Sequence, residues 1–212
     1  MKNLRFFLFL FATLAFAACS DNDDTWASYR QDLVCLDTDA SGCVTTLTRD
    51  DGTILQVSNT ISGLQADSTY RALALYVEQT EAATAKIYDY ATILAPEPVV
   101  YSDEVLVTDP LSVVACWEGG NYINLHLALL GTVNVVHYFG FHVQGFVINT
   151  DLSYTLHLAL LHDQNDDPLS YTRETYICLP LSSLSSLLRE NCDSLALHVN
   201  TFDGEETYTF AY

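Results

Sequence analysis

The chain has 212 residues, with 27 acidic and 8 basic side chains, so its formal charge at pH 7 is −19. Half of the residues are hydrophobic, which is enough apolar material for one large or two small folded domains and argues against a largely disordered chain. Nucleic acids are disfavoured as partners, because affinity for phosphates depends on a basic surface, and adsorption to anionic lipid headgroups is disfavoured for the same reason. The acidity instead favours cations or cationic partners.

The N-terminus has the pattern of a secretion signal. Two basic residues precede an apolar run over residues 6–16, and two alanines then lead to Cys19. The run is too short to span a bilayer, which needs roughly 20 apolar residues. It is therefore predicted to direct export and to be removed. Loss of residues 1–18 would leave six basic and 27 acidic side chains, a formal charge of −21.

Cys19 is the predicted lipidation site. Small residues directly before a cysteine suit the peptidase that cuts in front of a diacylated cysteine, which makes residues 1–18 a lipoprotein signal peptide. Phe16 stands where an aliphatic residue is usual. A conventional signal peptide, with Cys19 as a spare thiol, is therefore the alternative.

An acidic segment follows this cysteine. Its residues are Ser20, Asp21, Asn22, Asp23 and Asp24. The segment resembles the export tag of surface-displayed lipoproteins of Gram-negative bacteria, and the alternative is a plain polar tether. Residues 19–26 form a predicted tether that spans only about 20 Å at roughly 3.5 Å per residue. We expect an outer-membrane lipoprotein whose folded body lies close to the membrane, exposed at the cell surface.

Residues 27–95 carry the pattern of a small β-barrel. Short apolar runs alternate with turn residues, and Asp50-Asp51-Gly52 is a hairpin signal. The predicted strands cover residues 31–37, 44–48, 53–58, 70–77 and 86–94. Five strands with no long helix predict a closed barrel. Proline-containing residues 96–110 are a predicted linker, because proline cannot donate to a strand ladder.

Residues 111–212 carry the pattern of an antiparallel β-sandwich. The predicted strands lie near residues 111–117, 122–130, 133–147, 153–162, 171–179, 194–201 and 205–211. One helix is predicted over 180–189, where leucines recur at helical spacing. Residues 124–130 and 155–161 echo each other, with leucines on one face of each strand. Two such strands could lie side by side in one sheet, with their leucines in the core.

Five cysteines remain beyond the lipidation site. The local pairs Cys35–Cys43 and Cys178–Cys192 are the favoured disulfides outside the cytoplasm, although spacing alone does not determine connectivity. Cys116 lies in an apolar run and is interpreted as a buried hydrophobic side chain. No spacing typical of a zinc site is present, so no metal site is predicted.

Other polar patterns have ordinary structural explanations. Six histidines lie mostly in strand patterns and form no hydrolase or metalloprotease motif, so no catalytic residue is predicted. Residues 37–42 resemble the start of a calcium loop, but Thr48 stands where a bidentate glutamate is needed. Tyrosines that we expect in exposed loops could stack on a sugar or anchor a protein. They are Tyr101, Tyr122, Tyr138 and Tyr171.

Taken together, the chain resembles the NigD-like family of surface lipoproteins. The resemblance rests on Cys19 with its acidic tail, on Tyr70-Arg71-Ala72-Leu73 in the barrel segment, and on the C-terminal Thr207-Tyr208-Thr209-Phe210. It implies a mainly β fold, with an N-terminal OB-like five-stranded barrel followed by a C-terminal β-sandwich with one short helix. It brings no catalytic residues and no cofactor.

The resulting functional hypothesis is a non-enzymatic binding or assembly module. Its expected partners are the membrane, through the lipid anchor, and an unidentified protein or glycan. One alternative is a hydrolase that acts on a surface polymer, and another is a calcium-dependent structural subunit of the cell surface.

Overall fold

The computed structural model describes residues 28–101 and 106–212. The predicted signal peptide over residues 1–18, the lipidation site Cys19 and the tether over residues 19–26, with its acidic segment over residues 20–24, lie outside the described residues. Within the described part of the chain, no helix has the length and apolar character needed to cross a bilayer.

The first domain is the predicted five-stranded barrel, in the closed order β1-β2-β3-β5-β4. The strands are β1 (Tyr29–Thr38), β2 (Val44–Arg49), β3 (Ile54–Val57), β4 (Thr69–Gln79) and β5 (Thr84–Thr92), with a 3-10 helix (Thr80–Ala82) between the last two. Only β3 and β5 pair in parallel. Alternate residues of each strand point inward, so Leu36, Leu47 and Tyr76 fill the core.

The second domain is the predicted β-sandwich. Its strands are β6 (Ser112–Gly119), β7 (Tyr122–Gly131), β8 (Tyr138–Ile148), β9 (Tyr154–Asp163), β10 (Tyr171–Pro180), β11 (Ser194–Thr201) and β12 (Gly204–Ala211). They form a three-stranded sheet, β10-β7-β6, and a four-stranded sheet, β12-β11-β9-β8. The pairing is antiparallel except between β9 and β11, which are separated in the chain by β10 in the opposite sheet.

The repeated leucine pattern is divided between these two sheets. The leucines at 125, 127 and 129 lie on β7, and those at 156, 158 and 160 lie on β9. All six are in one hydrophobic cluster. The leucine faces are therefore both in the core, as expected, but they meet across the sandwich instead of lying side by side.

The predicted helix over 180–189 is reduced to one 3-10 turn, Leu181–Leu184. Hydroxyl groups compete for the backbone here: Ser183 donates to the Pro180 carbonyl at 2.6 Å, and Ser185 donates to the Ser182 carbonyl at 2.8 Å. Leu184 is nevertheless fully buried, so the segment closes one end of the sandwich with its apolar face.

The favoured disulfides are not formed, because all five cysteines of the described residues are free thiols. Cys35 lies opposite Thr48 and Arg71 in the barrel, whereas the residue after Cys43 lies opposite Thr38. Cys35 and Cys43 are therefore three to four positions apart along the paired strands, which is about 10–13 Å. The Cα atoms of a disulfide lie within roughly 7 Å of each other, so these two cysteines are too far apart.

The second pairing, Cys178–Cys192, is not formed either, and the Cys178 thiol instead donates to Oδ1 of Asn124 at 3.1 Å. Cys178 is buried in β10, whereas Cys192 is exposed in the turn that precedes β11. The spacing of the cysteines in the chain did not reveal either separation.

Candidate functional site

The two domains meet at a buried ion pair. Arg71, on the outward face of β4, donates to Asp50 through Nη1 at 2.6 Å and through Nη2 at 2.9 Å. Its Nη2 also donates at 2.9 Å to Oδ1 of Asn124, on β7 of the sandwich. The Arg71 side chain is 1% exposed. Burial acts to lower the pKa of Arg71, but the Asp50 carboxylate outweighs it and raises that pKa above its ordinary value.

Glycines allow the sandwich to approach this ion pair closely. Gly119 ends β6 and Gly120 begins the turn to β7, and a methyl group added at either position would meet the Asp50 carboxylate. Gly120 also has a φ of 59°, a conformation that favours glycine. The turn therefore packs its backbone directly on the barrel.

Tyr122 completes the junction. Its ring lies 4.6 Å from the guanidinium of Arg71, and Cys35 donates to its hydroxyl at 3.8 Å. Burial raises the pKa of Tyr122 to about 12. The expectation that Tyr122 lies in an exposed loop was therefore wrong, because it is a half-buried residue of β7. Tyr101, Tyr138 and Tyr171 are exposed, but Tyr138 and Tyr171 are the first residues of β8 and β10 and not loop residues.

A groove of about 410 Å³ opens beside the ion pair. This volume is within the range of roughly 300–1,000 Å³ that is usual for small-molecule sites. The barrel contributes Gln31, Asp32, Leu33, Arg49, Asp50, Asp51 and Leu73, and the sandwich contributes Trp117 and Tyr176. One wall is thus mainly polar and the other is aromatic.

The groove continues along β10. Leu73 and Tyr176 also border a second cavity, of about 470 Å³, which reaches Glu174 and Phe139. The ring of Tyr176 stacks on His126, with centroids 4.5 Å apart, and Nε2 of His126 is 2.9 Å from Glu174. These contacts hold Tyr176 in place at the centre of the junction.

Each carboxylate that lines the first cavity already has a partner. Asp32 accepts hydrogen bonds from Arg30 at 3.0 Å and from Tyr76 at 2.8 Å. Arg49 is 2.9 Å from Asp51. Since Asp50 is held by the buried guanidinium, the groove is nearly balanced in charge, whereas the chain as a whole is strongly acidic.

The sandwich contains a second buried polar cluster, around His137 and His162. His162 Nδ1 is 2.8 Å from the Asp109 carbonyl oxygen, His162 Nε2 is 2.9 Å from His137 Nδ1, and His137 Nε2 is 3.0 Å from Asp167. Thr132 donates to Asp167 from its backbone and from its hydroxyl, both at 2.8 Å. Burial acts to raise the pKa of Asp167, but these hydrogen bonds outweigh it and lower that pKa.

Counting protons gives the charge of this cluster. The carbonyl and the carboxylate at its two ends only accept, so each end nitrogen must carry a proton. Two neutral imidazoles carry only those two ring N–H protons. The contact between His162 Nε2 and His137 Nδ1 would then have no proton between its two nitrogens. A third proton satisfies all three contacts. Burial lowers the pKa of His162, which disfavours the third proton on that ring.

This arrangement bears on the hydrolase alternative. All four ring nitrogens of His137 and His162 are engaged by groups of the protein. A general base needs a free nitrogen within reach of a substrate proton. The cluster therefore fits a structural role better than a catalytic one. Among the described residues, no group of three histidine, cysteine or acidic side chains is placed to hold a metal ion.

The calcium-like segment over residues 37–42 is a turn. Oδ1 of Asp39 accepts from the backbone N–H groups of Ser41 at 2.8 Å and Cys43 at 3.0 Å. Asp37 accepts from the hydroxyl groups of Thr46 at 2.7 Å and Thr69 at 2.6 Å. These contacts explain the pattern of oxygen-bearing residues as turn and strand chemistry.

Comparison with solved structures shows the same fold in proteins of Bacteroides and Parabacteroides species. A NigD-like immunity protein from Bacteroides caccae matches with a TM-score of 0.66 and 24% identity, over 85% of this chain and 91% of that one. A candidate toxin-related protein from Parabacteroides distasonis matches with a TM-score of 0.68 and 19% identity, over 87% and 93%. A candidate lipoprotein from Bacteroides fragilis matches with a TM-score of 0.64 and 16% identity, over 87% and 98%.

No functionally curated protein matches the chain. The sequence profile of the NigD-like C-terminal beta sandwich domain matches residues 93–212, which are more than half of the chain. The matched region starts where the barrel ends and includes every strand of the sandwich. With the barrel and sandwich architecture shared by the solved structures, this match shows that the chain belongs to the NigD-like family.

Proposed function

We propose that this protein is a lipid-anchored, non-enzymatic binding module, which holds a partner at the cell surface in the groove between its two domains. The observation that carries the proposal is the composite groove itself. Neither domain forms it alone, since Leu73 and the carboxylates come from the barrel whereas Trp117 and Tyr176 come from the sandwich.

The buried ion pair supports a binding role because it fixes the two walls of the groove relative to each other. Arg71 pairs with Asp50 of the barrel and donates to Asn124 of the sandwich, so a change in the orientation of the domains would cost the guanidinium its Asn124 acceptor and its contact with the Tyr122 ring. A preformed groove loses little conformational entropy when a partner binds, which favours affinity.

The anchor is supported by the signal pattern that ends at Cys19. A structural neighbour from Bacteroides fragilis is named a candidate lipoprotein, which agrees with that reading. The engaged nitrogens of His137 and His162 support a non-enzymatic role. Other neighbours are named as immunity and toxin-related proteins, and those names suit a role in recognition.

Crosslinking on intact cells, followed by mass spectrometry, tests the proposal. Wild-type protein is compared with Trp117→Ala, which removes an aromatic side chain from the groove, and with Phe202→Ala, which removes an exposed aromatic side chain that does not line it. We expect loss of the captured partner only with Trp117→Ala. Equal capture by all three proteins would contradict the role of the groove.

The anchor needs its own measurement. The mature protein should begin at residue 19 and exceed its peptide mass by the mass of the acyl groups, and Cys19→Ala should release it from the membrane fraction. An unmodified N-terminus at any other residue would contradict the anchor, whatever the groove binds.

A further inference from the structure

We propose that the groove between the domains binds a neutral oligosaccharide. This inference rests on the proposed binding function and specifies the chemical class of its ligand. It starts from the composition of the two facing walls, one aromatic and the other built of paired charges.

The aromatic wall suits the apolar face of a sugar ring. Trp117 and Tyr176 border the groove, and both are only partly buried. One face of Tyr176 is covered by His126, so its remaining surface meets the groove. A large flat side chain, held in one orientation, offers contact area at a low cost in conformational entropy.

The polar wall suits hydroxyl groups. Asp51 lies beside Arg49 and both side chains line the groove, so an acceptor stands next to a donor there. Asp32 adds a second acceptor, whose partners Arg30 and Tyr76 do not line the groove. A sugar hydroxyl can donate and accept at once, so it can bond to both members of such a pair without separating them. A lysine or arginine of a peptide would instead compete for carboxylates that already have partners.

Charge selects a neutral sugar over an anionic one. All five arginines of the described residues contact a carboxylate, so none is free to bind a sulfate, phosphate or uronate group. The rest of the chain carries a large excess of negative charge. An anionic polymer would therefore be repelled at long range and would find no unpaired cation inside the groove.

Affinity electrophoresis of the purified mature protein tests this inference. The gels contain neutral glucan, neutral mannan or a sulfated glucan, and isothermal titration with oligosaccharides of two to six units follows for any polymer that slows migration. We expect retardation by a neutral polymer only, and a weakening of at least about tenfold in Kd for Trp117→Ala. Asp51→Asn, at an exposed side chain whose loss leaves the core intact, should also weaken binding, whereas Phe202→Ala should not.

The possible outcomes separate this inference from the proposed function. Binding of the sulfated polymer alone, or of an arginine-rich test peptide that competes at the groove, would overturn the neutral-sugar inference. So would an absence of binding to every neutral oligosaccharide tested. In those cases, a Trp117-dependent protein partner on intact cells would still support the binding module. If no neutral oligosaccharide binds and no Trp117-dependent partner is captured on intact cells, both proposals are wrong.

Discussion

Replacing Asp50 by asparagine should destabilise the whole protein through the domain junction. The substitution keeps the shape of the side chain but removes the charge that balances Arg71, which is 1% exposed. The native carboxylate accepts two hydrogen bonds from Arg71, at 2.6 and 2.9 Å. In the variant, the amide NH2 group of the asparagine would replace one of these acceptors and would face an N–H group of the guanidinium. A hydrogen bond to a charged group contributes about 1.5–3 kcal/mol, and breaking a buried ion pair costs about 3–5 kcal/mol.

The lower end of that range is the appropriate expectation here, because the Asp50 side chain is 28% exposed and water can partly replace its charge. We therefore expect a loss of about 3 kcal/mol in the free energy of unfolding. In a chain of this length, that corresponds to a fall in Tm of roughly 6–12 °C. Urea denaturation and differential scanning calorimetry of the purified protein measure the two quantities.

The adjacent residue is a matched control. Asp51 pairs with Arg49 in the same turn, but its side chain is 52% exposed. Asp51→Asn should therefore change the free energy of unfolding by less than about 1 kcal/mol. Equal effects of Asp50→Asn and Asp51→Asn, or a loss below about 1 kcal/mol for Asp50→Asn, would refute the reasoning that the buried Arg71–Asp50 pair stabilises the junction of the domains.

Three further predictions concern other polar and close-packed sites. Gly120→Ala should lower Tm in thermal melts, because its methyl group would overlap the Asp50 carboxylate; an unchanged Tm would show that the turn can shift freely. Hydrogen bonds, first of all from the Arg189 guanidinium, hold the pKa of Asp193 below its ordinary value. The ionised Asp193 side chain therefore stabilises the fold above about pH 4, and this contribution is lost as the pH falls. Asp193→Asn should therefore flatten the fall of Tm between pH 5 and pH 2, whereas the exposed control Asp203→Asn should leave it unchanged, and equal slopes in all three proteins would contradict this. Nitrogen NMR near pH 7 should find His162 neutral, with its proton on Nδ1 facing the Asp109 carbonyl, because burial lowers its pKa; a doubly protonated His162 ring at that pH would contradict this.

The strands and their inward faces could be predicted from the sequence. Alternation of apolar and polar residues specifies which side of a strand is buried, and the leucines of β7 and β9 follow that pattern into the core. Local pattern does not specify which sheet a strand joins. The echo between residues 124–130 and 155–161 therefore suggested neighbouring strands, whereas the structure places them in facing sheets.

The candidate site was harder to predict because docking of the two domains creates it. Arg71 lies on the outward face of β4, where an isolated barrel would expose it to water. It is buried only because the sandwich presents Asn124 at that point. Asp167, in the loop before β10, is likewise buried by contacts with Thr132 and His137, which are about 30 residues away in the chain and follow no motif.

The position of most basic residues within strands has a consequence for degradation. Trypsin-like proteases cut after lysine and arginine, and they need the substrate backbone in an extended, detached form. Five of the six basic residues of the described chain lie within strands: Arg30, Arg49, Arg71, Lys86 and Arg173. The sixth, Arg189, is bound to Asp193. Digestion by such an enzyme should therefore require a strand to detach from its sheet first, so that its rate should follow the opening of the domains.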